Sequence, residues 1–355
     1  MKKMVYSAIM AAFILLPGAI LAQSVEQQLD ALQLRISELE QQVDEQQKSA
    51  AKHEKRSEKW AKIVEKLPKI SGFVQAGFSW TGEGDGSSNF NIPHARLTLA
   101  GDISKKFDYK LQVEFSSPKL IDAYLRWKVN PAFNVQFGQF HVPFTLEGPI
   151  SPAKMEAIGN PRVASKICKL PDTRDLGVML YGSFLRSGKR YLMEYSVGIF
   201  QGEGKNKSDA NKSKDVIGRL KFFPMQELCV TASYSYGEQG AEYVKNERVS
   251  AGVEWKPENW IVRSEYLWHK QGSAIRNDGF YIVALYQMKK FAPVVRYSFY
   301  NEELESGLHN ETSDFTVGIN YTPLKALKFQ ANYTFTHTSA ISDFSTVGLQ
   351  ATVMF

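Results

Sequence analysis

The side chains able to do chemistry in this 355-residue sequence are arranged for electrostatics and not for catalysis. Six histidines, His53, His94, His141, His269, His309 and His337, stand in no recognisable nucleophile–base arrangement. The sequence has no Gly-x-Ser-x-Gly elbow, His-Glu-x-x-His pair or phosphate-cradling glycine loop. Two cysteines, Cys168 and Cys229, are too few and too distant for a disulfide framework or a metal site. No enzyme activity, cofactor or metal is therefore expected. What does recur is charge at every second position. Arginine is a permanently charged fork suited to phosphate or carboxylate, so Arg96, Arg126, Lys128, Arg219, Arg263 and Arg296 are the candidate anion-binding residues on strands. A second set, Lys154, Arg162, Lys166, Lys169 and Arg174, lies in or beside one long connection. Any of these bases could instead pair with an acid on a neighbouring strand.

The strands that would carry them show a period of two. Phe107, Tyr109, Leu111, Val113 and Phe115 alternate with Asp108, Lys110, Gln112 and Glu114. Ile121, Ala123, Leu125, Trp127 and Val129 alternate with Asp122, Tyr124, Arg126 and Lys128, and 327–336 repeats the pattern. Such strands need an apolar medium on one side and water on the other, the condition of a transmembrane β-barrel. Sixteen are expected, near 69–80, 90–101, 107–116, 119–129, 133–141, 174–185, 190–200, 214–223, 227–237, 247–256, 259–269, 278–288, 291–301, 313–322, 326–337 and 343–355. Every second connection reads as a short turn, such as Asn130–Ala132 or Lys289–Lys290. The others are longer, among them Thr81–Asn89, Gln201–Ser213 and Asn301–Thr312, as external loops are. The third external connection, about 142–173, is the longest and is expected to fold inward and narrow the lumen. An aromatic content of 12% with a mean hydropathy of only −0.29 suits such a fold, because alternation halves the apparent hydrophobicity of each spanning segment.

Upstream of the strands the composition changes twice. Residues 1–22 read as an export signal, with Lys2 and Lys3, an apolar run Val5–Leu16, a break at Pro17-Gly18 and a small residue at Ala22. Export makes nucleic acid an unsuitable partner despite a formal charge of +6. Residues 23–68 are expected to form a periplasmic coiled coil. From 23 to 66 there is no Gly or Pro, and Val25, Leu29, Leu32, Ile36, Leu39 and Val43 alternate spacings of four and three. A single helix of this kind is marginal in water and its stripe needs a partner, either a second chain or the protein's own barrel.

The start of the long connection resembles a known family. Gly138-Gln139-Phe140-His141-Val142-Pro143-Phe144-Thr145-Leu146-Glu147 is similar to the GQFKxPFxLE stretch of phosphate-selective porins O and P. Thr173-Arg174-Asp175-Leu176-Gly177-Val178 resembles their RDxGv re-entry into the barrel. His141 stands where the family motif often has lysine. The resemblance spans roughly 69–355 and implies a trimeric, sixteen-stranded, anion-favouring channel in the outer membrane. Its partners would be outer-membrane lipid, the barrel-assembly machinery, small anions or other small solutes, and two further copies joined through barrel and coiled coil. The expected function is passive diffusion of small hydrophilic solutes with a weak anion preference, phosphate included. The competing expectation is a plugged barrel serving structure or adhesion.

The heptad seam yields a test on its own. A peptide spanning 23–66 should sediment as a helical trimer, and a peptide that stays monomeric and unfolded at high concentration would remove the seam's assembly role.

Overall fold

The computed structural model describes residues 21–169, 173–272, 275–303 and 307–355, so the expected export signal lies almost wholly outside the described residues. Two units follow, Met1–Leu67 and Pro68–Phe355. The first carries helix α1, Leu21–Lys66. Good helix formers fill it, an Asp44–Lys48 pair at 2.9 Å braces one turn, and Pro68 follows its end. Within the chain Leu32, Ile36, Leu39 and Val43 are exposed. Among the described residues no helix is long and apolar enough to cross a membrane.

The second unit is a closed antiparallel barrel of sixteen strands, each paired with its sequence neighbours, with β16 returning to β1. The strands are β1 Lys69–Thr81, β2 Ser87–Ser104, β3 Phe107–Glu114, β4 Lys119–Asn130, β5 Phe133–His141, β6 Arg174–Ser187, β7 Arg190–Phe200 and β8 Asp215–Phe222. Then come β9 Leu228–Gln239, β10 Val244–Trp255, β11 Trp260–Gln271, β12 Ile275–Tyr286, β13 Phe291–Glu303, β14 His309–Leu324, β15 Leu327–Thr338 and β16 Phe344–Met354. All sixteen expected segments are present. Along β9 the outward Val230, Tyr234 and Tyr236 are exposed, whereas the inward Thr231, Ser233 and Ser235 are buried. Aromatic pairs crowd the outer rim at the end that carries both barrel termini: Phe107 on Trp127, Trp260 on Tyr286 and Phe291 on Tyr321. This is the girdle of an interfacial belt.

Two expectations change in detail. Alternation places Ile121 on the outer face, yet it is 0% exposed. The β3–β4 register shifts after Gln112–Asp122, and the extra residue of this bulge turns Ile121 out of its row. The bulge is sealed by Gln139, whose side-chain amide donates to Leu120 O at 2.9 Å and Ile121 O at 3.0 Å. The connection expected at 301–312 is shorter, because β13 and β14 stay paired out to Glu303 and His309.

Closure rests on the last residue as well as the ladder. Gly72 N donates to Phe355 O at 2.8 Å and Phe355 N donates to Gly72 O at 3.0 Å. The Phe355 ring covers Gly72, where an added Cβ would come within 2.6 Å of it. Deleting Phe355 should therefore lower the yield of folded, heat-modifiable barrel in the membrane fraction. An unchanged yield would deny Phe355 any part in closing the barrel.

Candidate functional site

The connection from β5 to β6 enters the barrel and is held there from both ends. Its entry uses the Gly138–Glu147 stretch residue by residue. Gly138 has φ +124°, and a Cβ there would sit 2.2 Å from Ala123 O, so only glycine fits. Phe140 and Phe144 are buried, Phe140 edge-on to Phe200 at 5.6 Å. Glu147 reaches across the lumen to Arg263 on β11 at 2.7 Å. At the exit, Arg174 pairs with Asp122 at 2.7 Å, and Asp175 accepts from Gly202 N at 2.6 Å and Leu176 N at 2.8 Å.

Between these ends lie a 3₁₀ turn, Pro152–Lys154, and helix α2, Arg162–Cys168. α2 turns Val163, Ala164, Ile167 and Cys168 into an apolar cluster with the inward Leu267, Tyr281, Val283 and Val294. Wall glycines make room for such knobs: a Cβ on Gly279 would meet Val163 Cγ2 at 2.9 Å, and one on Gly252 would meet Leu146 Cδ1 at 2.9 Å. Polar contacts finish the docking. Arg162 grips Asp314 with two bonds of 2.7 and 2.8 Å, and Thr336 adds a third to that carboxylate. Glu265 accepts from Thr145 Oγ1 at 2.6 Å, and its other donors are Leu146 N, Ser250 Oγ and Tyr281 OH.

The candidate residues fall into three groups. Arg263, 1% exposed, is gripped by Glu147, Glu156 and Glu254 at 2.7, 2.7 and 3.1 Å. Arg96, 4% exposed, is held by Glu114 at 2.9 Å beside His94. Arg126 and Lys128 remain part-exposed but share Asp108, at 2.7 and 2.8 Å. A different set gives its charge to neutral oxygens of the loop. Arg219 donates to Thr145 O at 3.3 Å, Arg296 to Gly159 O at 2.7 Å and Lys328 to Met155 O at 2.6 Å. Lys154, Lys166 and Lys169 stay exposed on the loop. Lys169 keeps exposed surface but is partly enclosed, and this partial burial, then Arg248 and Lys207, lowers it from the usual lysine value. On the 201–214 connection Lys205 is pulled down to about 8 by burial, then by Lys119 and Arg96.

Sequence reasoning did not find α2 or the apolar interior. A signal was present: Phe280–Tyr286 is an unbroken apolar run, and a strand apolar on both faces is covered on both. The sequence gives no sign that Lys328 anchors the loop, since only the folded loop brings Met155 to it.

A family model described as phosphate-selective porin O and P matches residues 70–259. No curated protein matches the sequence. Several solved structures share the fold. An anion-selective porin from Comamonas acidovorans is 12% identical with a TM-score of 0.65, over 81% of this chain and 99% of that one. Salmonella typhi OmpF, solved with daunomycin, is 13% identical with a TM-score of 0.64, over 82% and 99%. Vibrio cholerae OmpT in its trimer form is 10% identical with a TM-score of 0.62, over 81% and 99%.

At such identities the likeness concerns the fold, and loop docking needs a test on this chain. Burial raises the Cys168 thiol far above its ordinary value, which keeps it unreactive while α2 is docked. Arg263→Ala would leave three carboxylates facing one another, a loss of about 3–5 kcal/mol for a broken buried pair. In a Cys229→Ser background, that change should raise maleimide labelling of Cys168 at least tenfold. Equal labelling before and after would mean that Arg263 does not hold the loop.

Proposed function

The chain belongs to the phosphate-selective porin O and P family and is an outer-membrane β-barrel, and from that premise we propose a water-filled channel for passive diffusion of small hydrophilic solutes with a weak preference for anions, phosphate included. Barrels of about sixteen strands leave an aqueous lumen. The observation that carries the ion preference is the bonding of Arg219, Arg296 and Lys328 to loop carbonyls. A base bonded to a carbonyl keeps its net charge, whereas a base bonded to a carboxylate does not. Several acids near the loop are met by bases: Glu147, Glu156 and Glu254 by Arg263, with Lys256 also on Glu254, Asp122 by Lys110 and Arg174, and Asp314 by Arg162. The loop lysines Lys154, Lys166 and Lys169 extend the positive potential toward the entrance, whereas Arg162 and Arg174 spend their charge on Asp314 and Asp122. Arg126 and Lys128, on the wall toward the other end, are balanced by Asp108 and Asp102 and add no net charge. Arg96, Arg263 and Arg296 contribute as anchors that set the loop's position.

The assembly proposed is a homotrimer, with α1 as a periplasmic three-stranded coiled coil and outer-membrane lipid around the barrels. The exposed seam Leu32–Ile36–Leu39–Val43 supports it, since an apolar stripe of this spacing is stable only against a partner. Insertion would use the barrel-assembly machinery. A second reading, a non-conducting barrel, has one observation in its favour: the loop packs a close apolar cluster against the inner wall. Conductance in planar bilayers separates the two.

Reversal potentials across a salt gradient test the preference. The wild-type channel should favour anions at low salt, and the bias should fade as ionic strength shortens screening to about 8 Å. Arg219→Gln keeps a donor for Thr145 O but removes the charge, so it should move selectivity toward cations. Raising pH through about 8 should act in the same direction, because Lys205 is charged below that value and neutral above it. A wild-type channel that favours cations at low salt would reject the anion assignment and leave the channel standing.

A further inference from the structure

Outside the loop–wall contacts, a cavity of about 230 Å³ opens between the end of α2 and the 201–214 connection, lined among others by Lys169, Gly202, Asp215, Gln239 and Arg248. Two of these residues, of opposite charge, each keep a buried polar atom without a partner, although Gln239 bonds the Asp215 carboxylate. Arg248 on β10 is 9% exposed, and its Nε has no hydrogen-bond partner. Asp215, the first residue of β8, is 5% exposed, and its Oδ1 has none. His269, paired with Arg248 across the β10–β11 ladder and 8% exposed, leaves Nε2 without a partner. Among the described residues no ion pair joins Arg248 to Asp215 or to any other carboxylate. Burying a charge without a partner is costly, and a buried polar atom is normally bonded. An arginine and an aspartate that line one cavity without meeting would ordinarily close on each other.

The fold makes space to keep the carboxylate where it is. A Cβ on Gly237 would overlap Asp215 Oδ1, and one on Gly202 would come within 2.7 Å of it. Of the other acids lining the cavity, Asp175 accepts from two backbone amides and Glu203 from Gly240 N, so Asp215 is the one with a buried oxygen left unpartnered. The cavity is smaller than the pockets of roughly 300–1,000 Å³ that hold drug-sized ligands. It suits a solute of a few heavy atoms.

We propose that this cavity is an entry site for small zwitterions of the α-amino-acid type, with the ligand carboxylate on Arg248 and its ammonium on Asp215. A simple anion would answer Arg248 and be repelled by Asp215, while a simple cation would meet the reverse. Only a ligand bearing both charges satisfies both residues. The proposal rests on the channel reading and narrows its solute class.

The test uses the purified full-length protein in planar bilayers, with KCl conductance recorded first. L-alanine, propionate and ethylamine are then added to the side carrying the 201–214 connection. L-alanine should reduce the current saturably at a concentration at least tenfold below that needed for propionate or ethylamine. Arg248→Gln and Asp215→Asn should each weaken that block at least tenfold without altering KCl conductance. Should either variant fold poorly, calorimetric titration of the detergent-purified wild type with the three compounds gives the same ranking. Equal block by propionate and L-alanine would identify a plain anion site and overturn the proposal. Normal KCl conductance with no block or heat from L-alanine would overturn it too, whereas absent conductance would strike at the channel reading, leaving calorimetry to decide the site.

Discussion

In hydrocarbon an unpaired backbone amide or carbonyl has no water to turn to, and each costs several kcal/mol. Sixteen strands meet that condition because β16 bonds back to β1 and leaves no edge. The hydrogen bonds between Gly72 and Phe355 extend the pairing to the last residue of the chain. Closure also fixes the inside. Once the sheet is a tube, each alternate side chain must face either lipid or lumen, so the two faces become separate chemical problems.

The inner face solves its problem unevenly. On β3 and β4 the inward charges pair across strands, Arg126 and Lys128 with Asp108 and Lys110 with Asp122. On β11 to β13 the inward side is partly apolar, with Leu267, Tyr281, Val283 and Val294 packed against α2. A segment lying inside a tube has no reason to stay against one wall unless that wall differs from the rest. Here the difference is an apolar patch flanked by Arg263 and Asp314, which clamp Glu147, Glu156 and Arg162. The clamp is electrostatic and the patch hydrophobic, so salt alone should not free the segment.

The two motifs that mark the family have local physical duties in this chain. Gly138 allows β4 and β5 to approach, Gln139 seals the β4 bulge, Glu147 fastens the loop, and Arg174 and Asp175 fasten its return. These are requirements of placing a loop in a barrel and carry no solute identity. Arg219, Arg296 and Lys328 differ from these in bonding neutral loop carbonyls and not carboxylates.

Alternation is a local property, readable from five consecutive residues, and so the sixteen strands, their order and the helix ahead of them could be drawn from the sequence. Phe107–Glu114 needs no distant information to declare its two faces. Ile121 could not be placed, because a bulge depends on the register of a neighbouring strand. The fates of the arginines were hidden for a similar reason. Arg96, Arg219, Arg263 and Arg296 look alike in sequence, each a base on an inward row. Which is clamped by three carboxylates and which bonds a neutral carbonyl depends on where residues 145–159 come to rest, more than a hundred positions from Arg263. Alternation assigns a side chain to the lumen, but only the folded loop decides whether its charge is spent there.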